Sequence, residues 1–438
     1  MKNKIGLTVL FSIVVCPLIV LASDQVPAPP QDHPIALVGG TIHTVSGQTI
    51  QNGTILFDNG KITAIGANVT MPQRTERIDI TGKHVYPGLV AAHTLLGLTE
   101  IGSVRATRDF SELGDVTPNV RAEVAINPDS ELFPVTRANG ILTALTVPTG
   151  GLIAGTSGLM LMDGWTWEDM TLFAPVAMHV WWPAVRGGFG DNQSQDARRK
   201  VRNERISTIR TAFREARAYL TAKEAESQRG VPYHDSDLRW EAMIPVLKGE
   251  IPVIVHANTL DQIQAAVDWG GDAGIRLVLA GGRDAWRVAD LLNEKGIPVI
   301  IGGIHQTPSR RWEDFDTPFT NPLHLYNAGV KFCISDGGGG SKERNLPYHA
   351  ATAASYGLPR DEALKSVTLY PAEILGVAHK IGSLEVDKDA TLIITDGDPL
   401  EIMTNVERAF IQGRDIDLTS KHTMLYQKYK SKYEGMDK

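Results

Sequence analysis

The chain has 438 residues, 42% of them hydrophobic and 21% charged, with a formal charge of −7. That balance excludes wholesale disorder and offers no basic excess to a nucleic-acid backbone. Two cysteines exclude a disulfide scaffold or a cysteine-rich zinc cluster.

Reading begins with Met-Lys-Asn-Lys, followed by an apolar run over 5–22 that ends Val20-Leu21-Ala22. A positive start, an apolar middle and a small residue at the end describe a secretory signal cleaved before Ser23. Pro17 and the small residues at the end of the run favour cleavage over retention as an anchor. The expectation is a periplasmic or secreted protein with no stable membrane span after cleavage. Cleavage removes Cys16 and leaves Cys333, which lies in the strand-like run Val330-Lys331-Phe332-Cys333-Ile334 and reads as a buried structural thiol.

Residues 23–34 are Pro-rich and read as a linker. From 35 to 86, short β-rich runs at 35–38, 53–58, 61–65 and 77–80 are punctuated by turns, among them Asp58-Asn59-Gly60. Runs of the same texture return at 382–385, 390–395 and 406–411. A small β-sandwich built from both chain ends, 35–86 and 378–420, is the economical reading, with 421–438 as a tail. Between these blocks, over 87–377, strands and helices alternate. Candidate strands lie at 85–92, 142–147, 158–162, 176–181, 252–256, 277–280, 298–301 and 331–335. Helical periodicity is clearest at 193–225, 260–269, 285–294 and 360–367. Alternation of this kind implies right-handed crossovers and a parallel sheet, and eight strands suffice to close a (β/α)8 TIM-like barrel. The basic residues near Arg198 are diluted by Asp196, Glu204 and Glu215, as on a solvated outer helix face.

In an α/β barrel the chemistry gathers at the C-terminal ends of the strands. His93 ends the first run, His179 lies in the fourth, His256 ends the fifth and Asp336 follows the last. Three imidazoles and one carboxylate at one mouth suit a borderline divalent metal such as zinc, or iron. The Gly-rich segment 149–157, the glycines 337–340, Trp181 and Trp182 are candidates for shaping a pocket. Arg105, Arg108 and Arg137 are candidates for binding a substrate carboxylate.

Gly39-Gly40-Thr41-Ile42, Gly60-Lys61-Ile62-Thr63-Ala64-Ile65-Gly66 and Pro87-Gly88-Leu89-Val90-Ala91-Ala92-His93-Thr94 stand at the start of the chain. Thr368-Leu369-Tyr370-Pro371-Ala372-Glu373-Ile374-Leu375-Gly376-Val377, Gly382-Ser383-Leu384-Glu385 and Lys388-Asp389-Ala390-Thr391-Leu392-Ile393 stand near its end. Together they resemble the metal-dependent amidohydrolase superfamily, closest to its imidazolonepropionase-like and prolidase-like branch. The resemblance spans nearly the whole mature chain. It implies hydrolysis of a C–N bond in a small amide, cyclic amide or peptide-like substrate by metal-activated water.

Carried over position by position, the resemblance matches His93, His256 and Asp336 to metal-ligand positions, with Asp336 also accepting the proton of the water, and His179 is expected to join them from its strand. The family pattern is His-x-His after the first strand; His93 matches its first position and Leu95 occupies the second. His179 stands where the family has a carboxylated lysine or a glutamate. Strand six, Leu279-Ala280-Gly281-Gly282-Arg283, lacks the expected imidazole, for which His305 is a conceivable replacement. One metal, zinc or iron, is the expectation. The departures also admit a non-catalytic barrel that binds a ligand or partner. Substrate and oligomeric state are not legible.

Overall fold

The computed structural model describes residues 25–185, 194–226 and 232–435. The leader and Cys16 lie outside the described residues. So does the first residue of the basic helix expected over 193–225.

The two chain ends do meet. His84–Pro87 runs parallel to Ile35–Ile42 on one side and antiparallel to Leu392–Thr395 on the other. Through that strand Val406–Ile411 and Arg414–Ile416 join Ile50–Asp58 and Lys61–Gly66 in one eight-stranded mixed sheet. The expected sandwich is thus a single sheet. It has its own apolar core, in which Leu37, Ile55, Phe57, Val85, Leu392 and Phe410 are fully or almost fully buried. Within the segment read as a tail, Lys421–Glu434 is a helix, opened by reciprocal capping between Ser420 and Thr423.

The middle of the chain is α/β, but the expected barrel is not one closed sheet. Met178–Trp181, Val253–Ala257, Leu277–Gly281, Val299–Ile301 and Phe332–Ile334 form a parallel arc in that order. Leu89–Thr94 and Ile141–Thr146 form a second, shorter parallel pair. Residues 366–367 bridge the two at one side, where Ile334 N donates to Ser366 O (3.0 Å) and Val90 N to Val367 O (2.8 Å). On the other side the run expected to be the third barrel strand, Gly158–Leu161, is antiparallel to Ile141–Thr146. An apolar run carries no sign of its direction, which explains that error. The run expected over 85–92 is also two strands, divided at Gly88, one for each sheet.

Every residue of Val253–Ala257 and of Ile141–Thr146 is buried. Such continuous apolar strands are what a parallel sheet covered on both faces requires. The 31-residue helix Gln195–Ala225 buries only Ile209, Ala212, Phe213 and Ala216, so its basic face is solvated as expected. Cys333 is fully buried, and burial pushes its thiol pKa upward, away from reactivity. Among the described residues no helix is long and apolar enough to cross a membrane.

Candidate active site

Strand register brings the histidines together. Trp181 and His256 are paired across neighbouring parallel strands, so both side chains stand on the same face. Their rings stack 3.8 Å apart and 7° from parallel. His179, two residues before Trp181, shares that face, and its Nδ1 lies 2.9 Å from His256 Nε2. His93 arrives from the other arc, with its ring centre 5.1 Å from that of His256. Burial lowers the His93 pKa to about 4. Burial, and then the neighbouring imidazoles, hold His179 and His256 well below the usual range. All three rings are therefore neutral near pH 7.

His93, Trp181 and His256 line a cleft of about 650 Å³, with Asn258, Asp336 and His349 among its other walls. Asp336 follows the strand Phe332–Ile334, and His349 comes from the next helix, Leu346–Ser355. Their hydrogen bonds fix the imidazole tautomer. His349 Nδ1 accepts from the backbone N–H of Ile304 (3.0 Å) and of His305 (3.3 Å). The ring proton of the neutral imidazole therefore sits on Nε2, which donates to Asp336 Oδ1 at 3.1 Å. Asp336 Oδ2 makes no hydrogen bond among the described residues. His305 stacks on His349 at 4.0 Å between ring centres.

Other expected participants fall elsewhere. Leu95 packs against the hydrophobic core. Trp182 is buried against Trp269, and the segment 149–157 supplies the strand Ile153–Thr156 rather than a wall of the cleft. Arg105, Arg108 and Arg137 do not line the cleft; Arg137 is buried on Asp163.

Two contributors escaped the sequence reading. His349 is one. The other is Glu343, fully buried in the segment Gly340–Asn345. Neither of its carboxyl oxygens makes a close hydrogen bond, and Thr94 is the nearest weak donor. Burial and then the negative charge of Asp336 push its pKa up to about 8, against a smaller opposing effect of Thr94. Glu343 thus holds its proton at neutral pH.

In the unfolded chain the Glu343 carboxyl ionises near its ordinary value, so folding takes up a proton between about 4.5 and 8. The stability it contributes is full below that window and is lost as pH rises through about 8. Glu343→Gln, which cannot ionise, should gain on wild type by roughly 3–4 kcal/mol between pH 5 and pH 8. Urea denaturation of both proteins at the two pH values checks this. A difference that does not change with pH contradicts it.

Residues 227–414 match the amidohydrolase family. Amidohydrolase tasK of Hapsidospora irregularis is 23% identical over 387 residues, covering 82% of this chain and 39% of the relative. The chain therefore spans about two fifths of that relative's length. Imidazolonepropionase of Mesorhizobium japonicum is 23% identical over 400 residues, covering 79% of this chain and 87% of the relative. The crystal structure of an amidohydrolase from Thermotoga maritima superposes with a TM-score of 0.79 at 27% identity, covering 87% of this chain and 99% of that one.

The superfamily is generally dependent on a divalent metal. The side chains of this cleft do not fit one. Among the described residues no three His, Cys, Asp or Glu side chains are grouped to hold a metal ion. The open buried imidazole nitrogens are His93 Nε2 and His179 Nε2. His256 Nε2 is engaged by His179 and Asp336 Oδ1 by His349. Of the expected ligands, His179 and His256 hydrogen-bond to each other, Asp336 bonds to His349, and His93 makes a ring contact with His256.

Proposed function

We propose that this cleft hydrolyses the C–N bond of a small amide, cyclic amide or peptide-like substrate, with Asp336 as the proton acceptor. The family match and the two curated relatives support a hydrolase of this class. The observation that carries the reading is the Asp336–His349 couple. A carboxylate held in one orientation by an imidazole, itself held by two backbone N–H groups, is preorganised to take a proton from water. The same proton can pass to the leaving nitrogen as the C–N bond breaks. The nearby imidazoles remain neutral and so do not compete as ion-pair partners for the carboxylate. The leader at 5–22 supports export, and we place the reaction in the periplasm or outside the cell.

His349 acts through Asp336 and is a positioning residue. His349→Phe should lower kcat by about 10²-fold with KM little changed, because the carboxylate loses its orientation. His349→Gln, whose side-chain amide can still donate a hydrogen bond, should recover part of the loss. Steady-state kinetics of the three proteins, with thermal unfolding alongside, tests the assignment. Equal loss in both variants would make the role of His349 structural only. A second reading, a binding protein without turnover, is favoured by the lack of a three-ligand cluster among the described residues.

A further inference from the structure

We propose that the site of this chain works without the metal of its superfamily, having turned the coordinating positions into direct hydrogen bonding and packing. Four observations carry this. The first is a count. Among the described residues no three His, Cys, Asp or Glu side chains are grouped to hold a metal ion, whereas a catalytic zinc takes three protein ligands.

The second is the His179–His256 contact. Two nitrogens each bound at 2.0–2.1 Å to a tetrahedral zinc sit about 3.3 Å apart. Here Nδ1 of one ring and Nε2 of the other approach to 2.9 Å, a hydrogen bond in which one ring donates and the other accepts. Trp181, flat against His256, holds that ring in place.

The third lies at the end of the sixth expected strand, and the backbone itself decides it. Gly281 has a φ of +93°, and a Cβ there would come within 2.7 Å of Asn258 Oδ1. Gly282 has a φ of +56°, and its Cβ would come within 2.9 Å of Val299 Cγ1. Left-handed φ makes any side chain strained at either glycine, and the adjoining space is already occupied. The Asn258 carboxamide occupies the space beside Gly281 and faces the cleft.

The fourth is Leu95, which fills the second His-x-His position and packs into the core. The loss of ligands is therefore distributed over separate strands and each vacated position has been refilled. Hydrogen-bonding groups face the cleft, Asn258 and Asp336 among them.

The inference rests on the reading of this cleft as the functional site, but its test does not need turnover. Purified full-length protein is incubated with excess Zn2+, and separately with Fe2+, then desalted; bound metal is measured by mass spectrometry. Thermal unfolding is followed with added Zn2+ and with a chelator. The expected result is substoichiometric metal and one unfolding midpoint in all conditions, since a ligand bound only by the folded state would raise it. One equivalent of metal retained by wild type and lost in a folded His256→Ala variant would overturn the inference, while leaving the hydrolase reading in place. Absence of both metal and turnover would instead remove the hydrolase reading and leave this inference standing.

Discussion

Asp336→Asn is expected to lower amide hydrolysis by about 10²–10⁴-fold, the range over which a positioned acid or base contributes. The substitution preserves shape and leaves an Oδ1 that can still accept from His349 Nε2, so the couple at 3.1 Å survives. What disappears is the ability to take a proton. The thermal midpoint should change little, because the side chain borders the cleft and ties no secondary elements together beyond that one bond. Turnover within a few-fold of wild type would show that the proton goes elsewhere.

Asp163→Asn should destabilise the protein by about 3–5 kcal/mol, the cost of removing one partner from a buried ion pair. Asp163 accepts from Arg137 Nη1 and from Arg414 Nη1, each at 2.9 Å, and from the backbone N–H of Ala28 at 3.1 Å. These partners come from three places: the middle of the chain, the C-terminal strands and the Pro-rich segment at the start. The Arg137 side chain is 5% exposed and that of Asp163 3%, so solvent cannot replace the missing charge. An asparagine leaves two guanidinium groups facing one another over a neutral amide. The end-built sheet should then detach from the α/β body at lower denaturant than in wild type. Urea denaturation measures the change, and a loss under about 0.5 kcal/mol, as at an ordinary surface site, would contradict it.

The sequence made the α/β middle legible because its parallel strands are buried on both faces and read as unbroken apolar runs. It made the pairing of the chain ends legible because the same turn-punctuated texture recurs at 35–86 and after 378. Closure was not legible: the apolar run at 158–162 looks the same whether it runs with its neighbour or against it. His93, His256 and Asp336 stand out at or just beyond the ends of apolar strands, where a polar side chain has few structural excuses. His349 does not stand out. It lies on a helix, and its only signal is helical spacing with the buried Leu346, Ala350 and Ala353. Glu343, between Lys342 and Arg344, looks like part of a solvated charge run, yet the short helical turn points it inward. Asn258 is an ordinary amide in sequence, and only the left-handed turn at Gly281 reveals the space it fills.

The central claim is that the cleft holding Asp336 and His349 is a site of C–N bond hydrolysis. The most direct measurement is release of free amine by purified wild-type protein from a panel of dipeptides, cyclic amides and simple amides. Each reaction is repeated with Asp336→Asn and without added metal. The account predicts turnover of at least one class by wild type and its loss in the variant. No turnover of any class by folded wild-type protein, with or without divalent metal, would contradict it and leave the cleft as a binding site.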